Sequence, residues 1–222
     1  AEILIGIAAP LSGSALSLGE QIEIGAIKAI DDINENGGVL GQQIIASSAD
    51  DACDSKQAKA AAGQLVAEGA VFVVGHACSS ASIAGGPIYG KTDIVMISPS
   101  STNPKLTDAG LTNVFRLVGR DDAQGEIAGD YLADVYAGEN IAILHDKSAF
   151  GQGLAEITKR RLNGNGVTEA LFETYAPDQT TYTELVDKLV QADIDVIYIG
   201  GYQGDAGIII RQAKSQLSDV RM

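Results

Sequence analysis

Val71-Phe72-Val73-Val74-Gly75-His76-Ala77-Cys78-Ser79-Ser80 is the stretch on which the reading of the whole chain turns. Val71 to Val74 have the length and β-branched content of a buried strand. They run into a glycine and then into two hydroxyl residues, Ser79 and Ser80, either of which can cap a helix. A strand, a short polar turn and a helix start are the pieces of a parallel α/β sheet, whose crossovers are helices.

The same unit recurs on both sides. Toward the N-terminus, Ile3 to Ala9 (ILIGIAA) reads as a buried strand ending at Pro10, and Leu11 to Leu18 as a small-residue turn. Ile22, Ala26, Ile30 and Ile33 then fall at helical spacing and stop at Asn36-Gly37-Gly38. Ile44 to Ala49 is strand-like, and Asp54 or Ser55 opens a helix carrying Ala58, Ala62, Leu65 and Val66 that ends at Gly69. Downstream, Ile94 to Ile97 is a strand, Ser98 to Asn113 a long polar loop, and Val114 to Leu117 a short β segment.

Gly119-Arg120-Asp121-Asp122 has the look of a crossover between domains. A second series follows: a helix with Ile127, Tyr131, Leu132, Val135 and Tyr136, the strand Ile141 to Leu144, and a helix from Gly151 to about Leu162. Then come the strand Val167 to Phe172, a helix opened by a Thr181/Glu184 capping box, the strand Val196 to Ile199, and a helix with Ile208, Ile209, Arg211 and Gln212. This order predicts an α/β protein of two doubly wound parallel-sheet lobes, 1–118 and 119–222, with a hinge near 119–122. Asp219 to Met222 reads as the opening of another strand, so a missing C-terminal part is expected and the first lobe is expected to be incomplete without it.

Composition narrows the function. The 222 residues are 45% hydrophobic and carry a formal net charge of -14. Such an acidic surface repels phosphate backbones and argues against a nucleic-acid partner. No apolar run approaches the roughly 20 residues that cross a bilayer. The chain enters a strand directly after Ala1-Glu2, a start compatible with a processed exported protein. Two cysteines, Cys53 and Cys78, leave a reduced pair, a metal pair and a disulfide all open. A bridge would close a loop of 78 − 53 = 25 residues, worth roughly 3 kcal/mol on the chain-entropy model.

Doubly wound folds bind ligands at the carboxyl ends of their strands. Gly75 to Ser80 there presents small and hydroxyl residues at a helix N-terminus, which suits an anion such as a carboxylate. The alternative is that Ser79 or Ser80 only caps the helix. Ser98-Pro99-Ser100-Ser101-Thr102-Asn103-Pro104 crowds hydroxyls at the next strand end, or is an ordinary polar turn. In the second lobe, Lys147 to Gly151 and Gly200 to Gln203 each place an aromatic, Phe150 or Tyr202, just past a strand. These rings can cover the apolar part of a solute or serve packing.

Catalytic patterns are weak. The chain has no G-x-S-x-G elbow, P-loop or H-E-x-x-H. Gly151-Gln152-Gly153 begins a dinucleotide fingerprint, but Glu156 stands at the third glycine. Cys78 with His76 or His145 is a conceivable nucleophile and base, and Cys53, Cys78, His76 and Asp50 a conceivable metal set without standard zinc spacing. No enzyme activity, metal or cofactor is expected.

Taken together, several motifs resemble the Leu/Ile/Val-binding family of type I periplasmic binding proteins. They are Asp31-Ile33-Asn34 with Gly37-Gly38, Asp50-Asp51-Ala52-Cys53-Asp54, Gly75-His76 with Cys78-Ser79-Ser80, Ser98-Pro99 with Thr102-Asn103-Pro104, His145-Asp146-Lys147, and Gly200-Gly201-Tyr202. The resemblance runs along the whole chain.

The resemblance implies a periplasmic protein, monomeric when full length, that captures a small aliphatic amino acid between two lobes and hands it to the membrane permease of an ABC importer. Ser79 and Thr102 would hold the α-carboxylate, and the Ser100 carbonyl with the Thr102 hydroxyl would meet the α-ammonium, Ser101 lying beside them. Ala77, Cys78, Phe150 and Tyr202 would line the side-chain pocket, and Cys53–Cys78 would be the family's disulfide. Leu18 stands where the family often has an aromatic, Phe150 where it often has Tyr, and Ala77 where Leu is usual. Ser100-Ser101 replaces small apolar residues. The pocket is therefore expected to be roomier and more polar, which brings Ala, Ser, Thr and γ-aminobutyrate into contention. A sensor ectodomain on the same fold is the alternative role. The family's chain is longer, and its remaining part would supply an acidic residue for the ammonium and the rest of the first lobe.

Overall fold

The computed structural model describes residues 2–222. It divides into two compact units, Ala1–Gly119 and Arg120–Met222. In the first unit, strand β1 (Ile3–Ala9) leads to helix α1 (Leu16–Glu35), β2 (Ile44–Asp50) to α2 (Ser55–Glu68), β3 (Phe72–Gly75) to α3 (Ser79–Gly90), and β4 (Val95–Ser98) to the single turn α4 (Lys105–Asp108), followed by β5 (Val114–Arg116). The strands are all parallel, in the order β2-β1-β3-β4-β5.

One face of this sheet carries the core. Val73 sits beside Met96, and Met96 beside Val114, and all three are buried with Ala62 and Leu65 of α2 and Tyr89 of α3. The α2 helix follows its sequence signals: the Asp54 carboxylate accepts from the amides of Lys56 and Gln57, and Gly69 takes the left-handed C-cap conformation at φ 88°. On the other face, Asn34 at the end of α1 exchanges two hydrogen bonds with the backbone of Ile44, both 2.8 Å, latching the helix to β2. Helix α1 begins at Leu16, so Leu18 lies in its first turn and not in the expected loop. Its buried face is built on Gly19 and Ile30, while Ile33 is exposed.

The second unit contains α5 (Asp121–Val135), β6 (Ile141–His145), α6 (Ala149–Gly164), β7 (Leu171–Thr174), α7 (Thr183–Gln191), β8 (Val196–Gly200) and α8 (Gln203–Gln216). Its three parallel strands run β7-β6-β8. Arg221 forms a further parallel bridge to Val196, where the sequence suggested a strand opening.

Two sequence expectations change here, and α5 shows which of its residues pack. Strand β7 starts later than Val167, because the Val167 amide bonds the Leu162 carbonyl to finish α6, and the chain joins the sheet only when the Ala170 amide reaches the Ile141 carbonyl. The Thr181/Glu184 capping box does not form: α7 starts at Thr183 with Tyr182 as N-cap, and the Thr181 hydroxyl instead meets Thr183 and the Gln212 amide. Helix α5 buries Gly125, Gly129, Leu132 and Ala133, leaving Ile127, Tyr131 and Val135 exposed. The reason is close helix packing. A Cβ at Gly129 would lie 2.6 Å from Arg161 Cβ, and one at Gly125 2.6 Å from Ile157 Cγ2, so small residues and not bulky ones form the α5–α6 seam.

Candidate functional site

At the carboxyl end of β3 the chain turns through His76, Ala77 and Cys78 into α3. Cys78, not Ser79 or Ser80, is the N-cap, and it makes no side-chain cap bond. The first bond inside the helix runs from the Ser82 amide to the Cys78 carbonyl. The amides of Ser79, Ser80 and Ala81 therefore have no acceptor within the helix and, with the helix dipole, favour an anion at this end. The Ser79 hydroxyl is buried and accepts the Asn103 amide at 3.2 Å.

The next strand end is tied to this turn by serines. Ser100 donates to the Ala77 carbonyl at 2.8 Å, and Ser101 to the same oxygen at 2.9 Å. Ser98 donates to the His76 carbonyl at 2.6 Å and accepts the Ser101 amide at 3.0 Å. Ser101 is buried, and its hydroxyl faces Ser82 and the carbonyls of His76 and Ala77, so it braces the turn from within. Arg116 of β5 fastens the far side of the loop, with 2.9 Å bonds to the carbonyls of Ser101 and Asn103. Thr102, half-buried, stands between these two anchored residues. The structure thus brings Ala77, Cys78, Ser79, Ser100, Ser101 and Thr102 together at adjacent strand ends. Leu18 follows β1, which neighbours β3.

Cys78 is bonded to Cys53, with 5.3 Å between their Cα atoms. The disulfide removes the thiolates that a Cys78 nucleophile or a Cys53/Cys78 metal set would need. His76 instead pairs with Asp51: Nδ1 lies 2.7 Å from Oδ2, with both side chains 0% exposed. Tyr89 lies 3.2 Å from the other ring nitrogen. Burial first, and then the Asp51 charge, hold the Tyr89 phenol far above its ordinary value. The room for this imidazole comes from Gly85, where a Cβ would meet His76 Nε2 at 2.4 Å. Gly85 carried no signal in the sequence beyond its residue type, and the Asp50–Asp54 motif marked Asp51 without naming its partner, because His76 is distant in the chain.

In the second unit Phe150 and Tyr202 meet at the ends of the neighbouring strands β6 and β8, their ring centroids 5.4 Å apart. Glycines set that approach. A Cβ on Gly151 would meet the Gly200 carbonyl at 2.4 Å and Asp146 Oδ1 at 2.3 Å, and one on Gly201 the Tyr175 hydroxyl at 2.1 Å. The Ser148 hydroxyl caps α6 by accepting the Gly151 amide at 2.9 Å. A crevice of about 480 Å³ in this unit is lined by Thr174, Tyr175, Gln179, Tyr182 and Lys188 among others, none of them a candidate residue. Arg120, at the start of α5, pairs with Asp122 at 2.8 Å. Among the described residues no helix is long and apolar enough to cross a membrane.

These features have close relatives among known proteins. The chain is 43% identical over 217 residues to an amino acid binding protein of Pseudomonas aeruginosa, covering 97% of this chain and 58% of that one. It is 44% identical over 216 residues to Leu/Ile/Val-binding protein homolog 2 of Brucella abortus, with the same coverage, so it spans well under two thirds of the relatives' length. Its fold superposes with a TM-score of 0.86 on the branched-chain amino acid transporter substrate binding protein LivJ of Streptococcus pneumoniae, solved with isoleucine, at 28% identity over 99% of this chain and 63% of that one. A family model described as periplasmic binding protein matches residues 2–219. By this match and by the identity to these relatives, the chain belongs to the periplasmic binding protein family.

Proposed function

We propose that this chain is the amino-acid-recognising part of a periplasmic substrate-binding protein that serves an ABC importer. The observation that carries the reading is the convergence of Ser79, Ser100 and Thr102 at the N-terminus of α3, on two loops sutured by serine hydroxyls. The first-turn amides and hydroxyls suit an α-carboxylate, and the Ser100 carbonyl and Thr102 hydroxyl suit an α-ammonium. The relatives that bind leucine, isoleucine or valine by name support an aliphatic ligand. The Phe150–Tyr202 pair in the second unit is the apolar surface proposed for its side chain, while Ala77, itself buried, lies beneath the turn. The segment near 119–122 is the proposed hinge, and binding involves no covalent chemistry. A disulfide suits the oxidising periplasm.

Calorimetric titration against a panel of leucine, isoleucine, valine, alanine, serine, threonine and γ-aminobutyrate tests this. Heat with at least one aliphatic amino acid is expected. Absence of both heat and thermal shift with every member overturns the reading. Thr102→Ala should weaken all ligands by a similar factor, because it acts on the backbone part they share.

A further inference from the structure

We propose that Asp51 and His76 are positioning residues for the amino-acid site: locked together, they set the path of the 76–79 backbone that the ligand's carboxylate would meet. This rests on the function proposed above.

Asp51 stands where three parts of the first unit join. Its amide bonds the Ala9 carbonyl at 3.0 Å, and its carbonyl accepts the Asp54 amide at 2.8 Å, so its backbone is fixed between β1 and the start of α2. One carboxylate oxygen accepts the Cys53 amide at 2.9 Å, organising the half of the disulfide that reaches Cys78. The other oxygen takes His76 Nδ1 at 2.7 Å. The side chain of His76 is therefore gripped by Asp51, just past the end of β2, and from α3 by Tyr89.

The backbone of the same residue is the hub of the site. Its carbonyl faces three hydroxyls, Ser82 at 3.0 Å, Ser98 at 2.6 Å and Ser101 at 3.3 Å. Ala77, the next residue, receives Ser100 and Ser101. Rotation of His76 about its backbone would move the acceptors on which the Ser98–Thr102 loop hangs, and with them the first turn of α3. A buried polar pair is a poor source of stability compared with apolar residues of the same size. This one is fully buried against Tyr89 of the core, but the backbone it fixes carries the acceptors of the Ser98–Thr102 loop, which is where a fixed geometry matters for binding.

The test uses Asp51→Asn, His76→Leu and His76→Asn, the last keeping a short amide donor near the Nδ1 position. Each is titrated with the amino-acid panel, unfolded in urea, and followed by hydrogen exchange of peptides covering 76–82 and 98–103. The first two variants should lose about tenfold in affinity, equally for every ligand the wild type binds, with faster exchange confined to those peptides. His76→Asn should recover most of the loss. Undiminished affinity in Asp51→Asn and His76→Leu overturns the proposal, as does exchange that rises throughout the first unit, which marks a purely structural role. If the wild type binds nothing in the panel, the functional reading falls. The exchange pattern then still decides whether the pair positions this loop.

Discussion

Ser98 donates its hydroxyl to the carbonyl of His76 at 2.6 Å and accepts the Ser101 amide at 3.0 Å, so one small side chain joins the ends of β3 and β4. Ser98 is fully buried. Ser98→Ala leaves the Ser101 amide without its acceptor in a dry setting, and should cost about 1–3 kcal/mol of stability. Urea unfolding checks this through a lowered midpoint at unchanged slope. A loss near zero would mean that water replaces the hydroxyl.

The glycines of α5 and α2 make opposite predictions. Gly129→Ala places a methyl 2.6 Å from Arg161 Cβ and 2.8 Å from the Thr158 carbonyl, and should destabilise the second unit by about 1–3 kcal/mol through overpacking. Gly63→Ala, on the exposed face of α2 with nothing within 4 Å of the new methyl, should stabilise the first unit by about 0.5–1 kcal/mol through helix propensity. Paired thermal melts of the two variants give the contrast in sign.

The Cys53–Cys78 bridge closes a loop with a sequence separation of 25. Its removal by a Cys53→Ala/Cys78→Ala pair should cost about 3 kcal/mol through the entropy returned to the unfolded chain. Denaturation in the presence and absence of reductant should reproduce the effect in the wild type and show none in the double variant. Equal wild-type stability under both conditions would contradict it.

His145 gives a pH dependence. Burial lowers its pKa below the ordinary 6.5, against the opposing pull of Glu156 and Asp146. Its Nδ1 accepts the Lys147 amide at 3.2 Å, a bond that the uncharged ring can make. The unfolded chain therefore takes up the proton more readily than the folded one. Stability from this residue is complete above about pH 6.5 and is lost as the pH falls below it. Wild-type melting temperature should drop more between pH 7.5 and 5.5 than that of His145→Gln. An NMR titration midpoint for His145 above 6.5 would reverse the sign.

Strand–helix alternation was legible along the whole chain, because a continuous apolar run and a helical apolar stripe are local patterns. The residues after Val74, Ile97, Leu144 and Ile199 were legible as site candidates for the same reason: a doubly wound sheet places its strand ends on one edge. Sequence alone also supplied the Asp54 and Gly69 caps, which act within a few residues of themselves. Helix α5 was read from Ile127, Tyr131, Leu132, Val135 and Tyr136, of which only Leu132 is buried. The packed seam is Gly125 and Gly129, whose lack of a side chain matters only once α6 lies against them. Sequence alone misplaced the start of α7, where Gln212 of α8 takes the Thr181 hydroxyl.

What the sequence by itself determined was the α/β alternation and the strand-end loops, since both arise from spacing within short windows. Only the tertiary structure decided that Asp51 grips His76 across 25 residues and that Ser98, Ser100 and Ser101 converge on the two carbonyls beside it. Those bonds join groups that parallel strands bring level, and no window of neighbouring residues contains both partners.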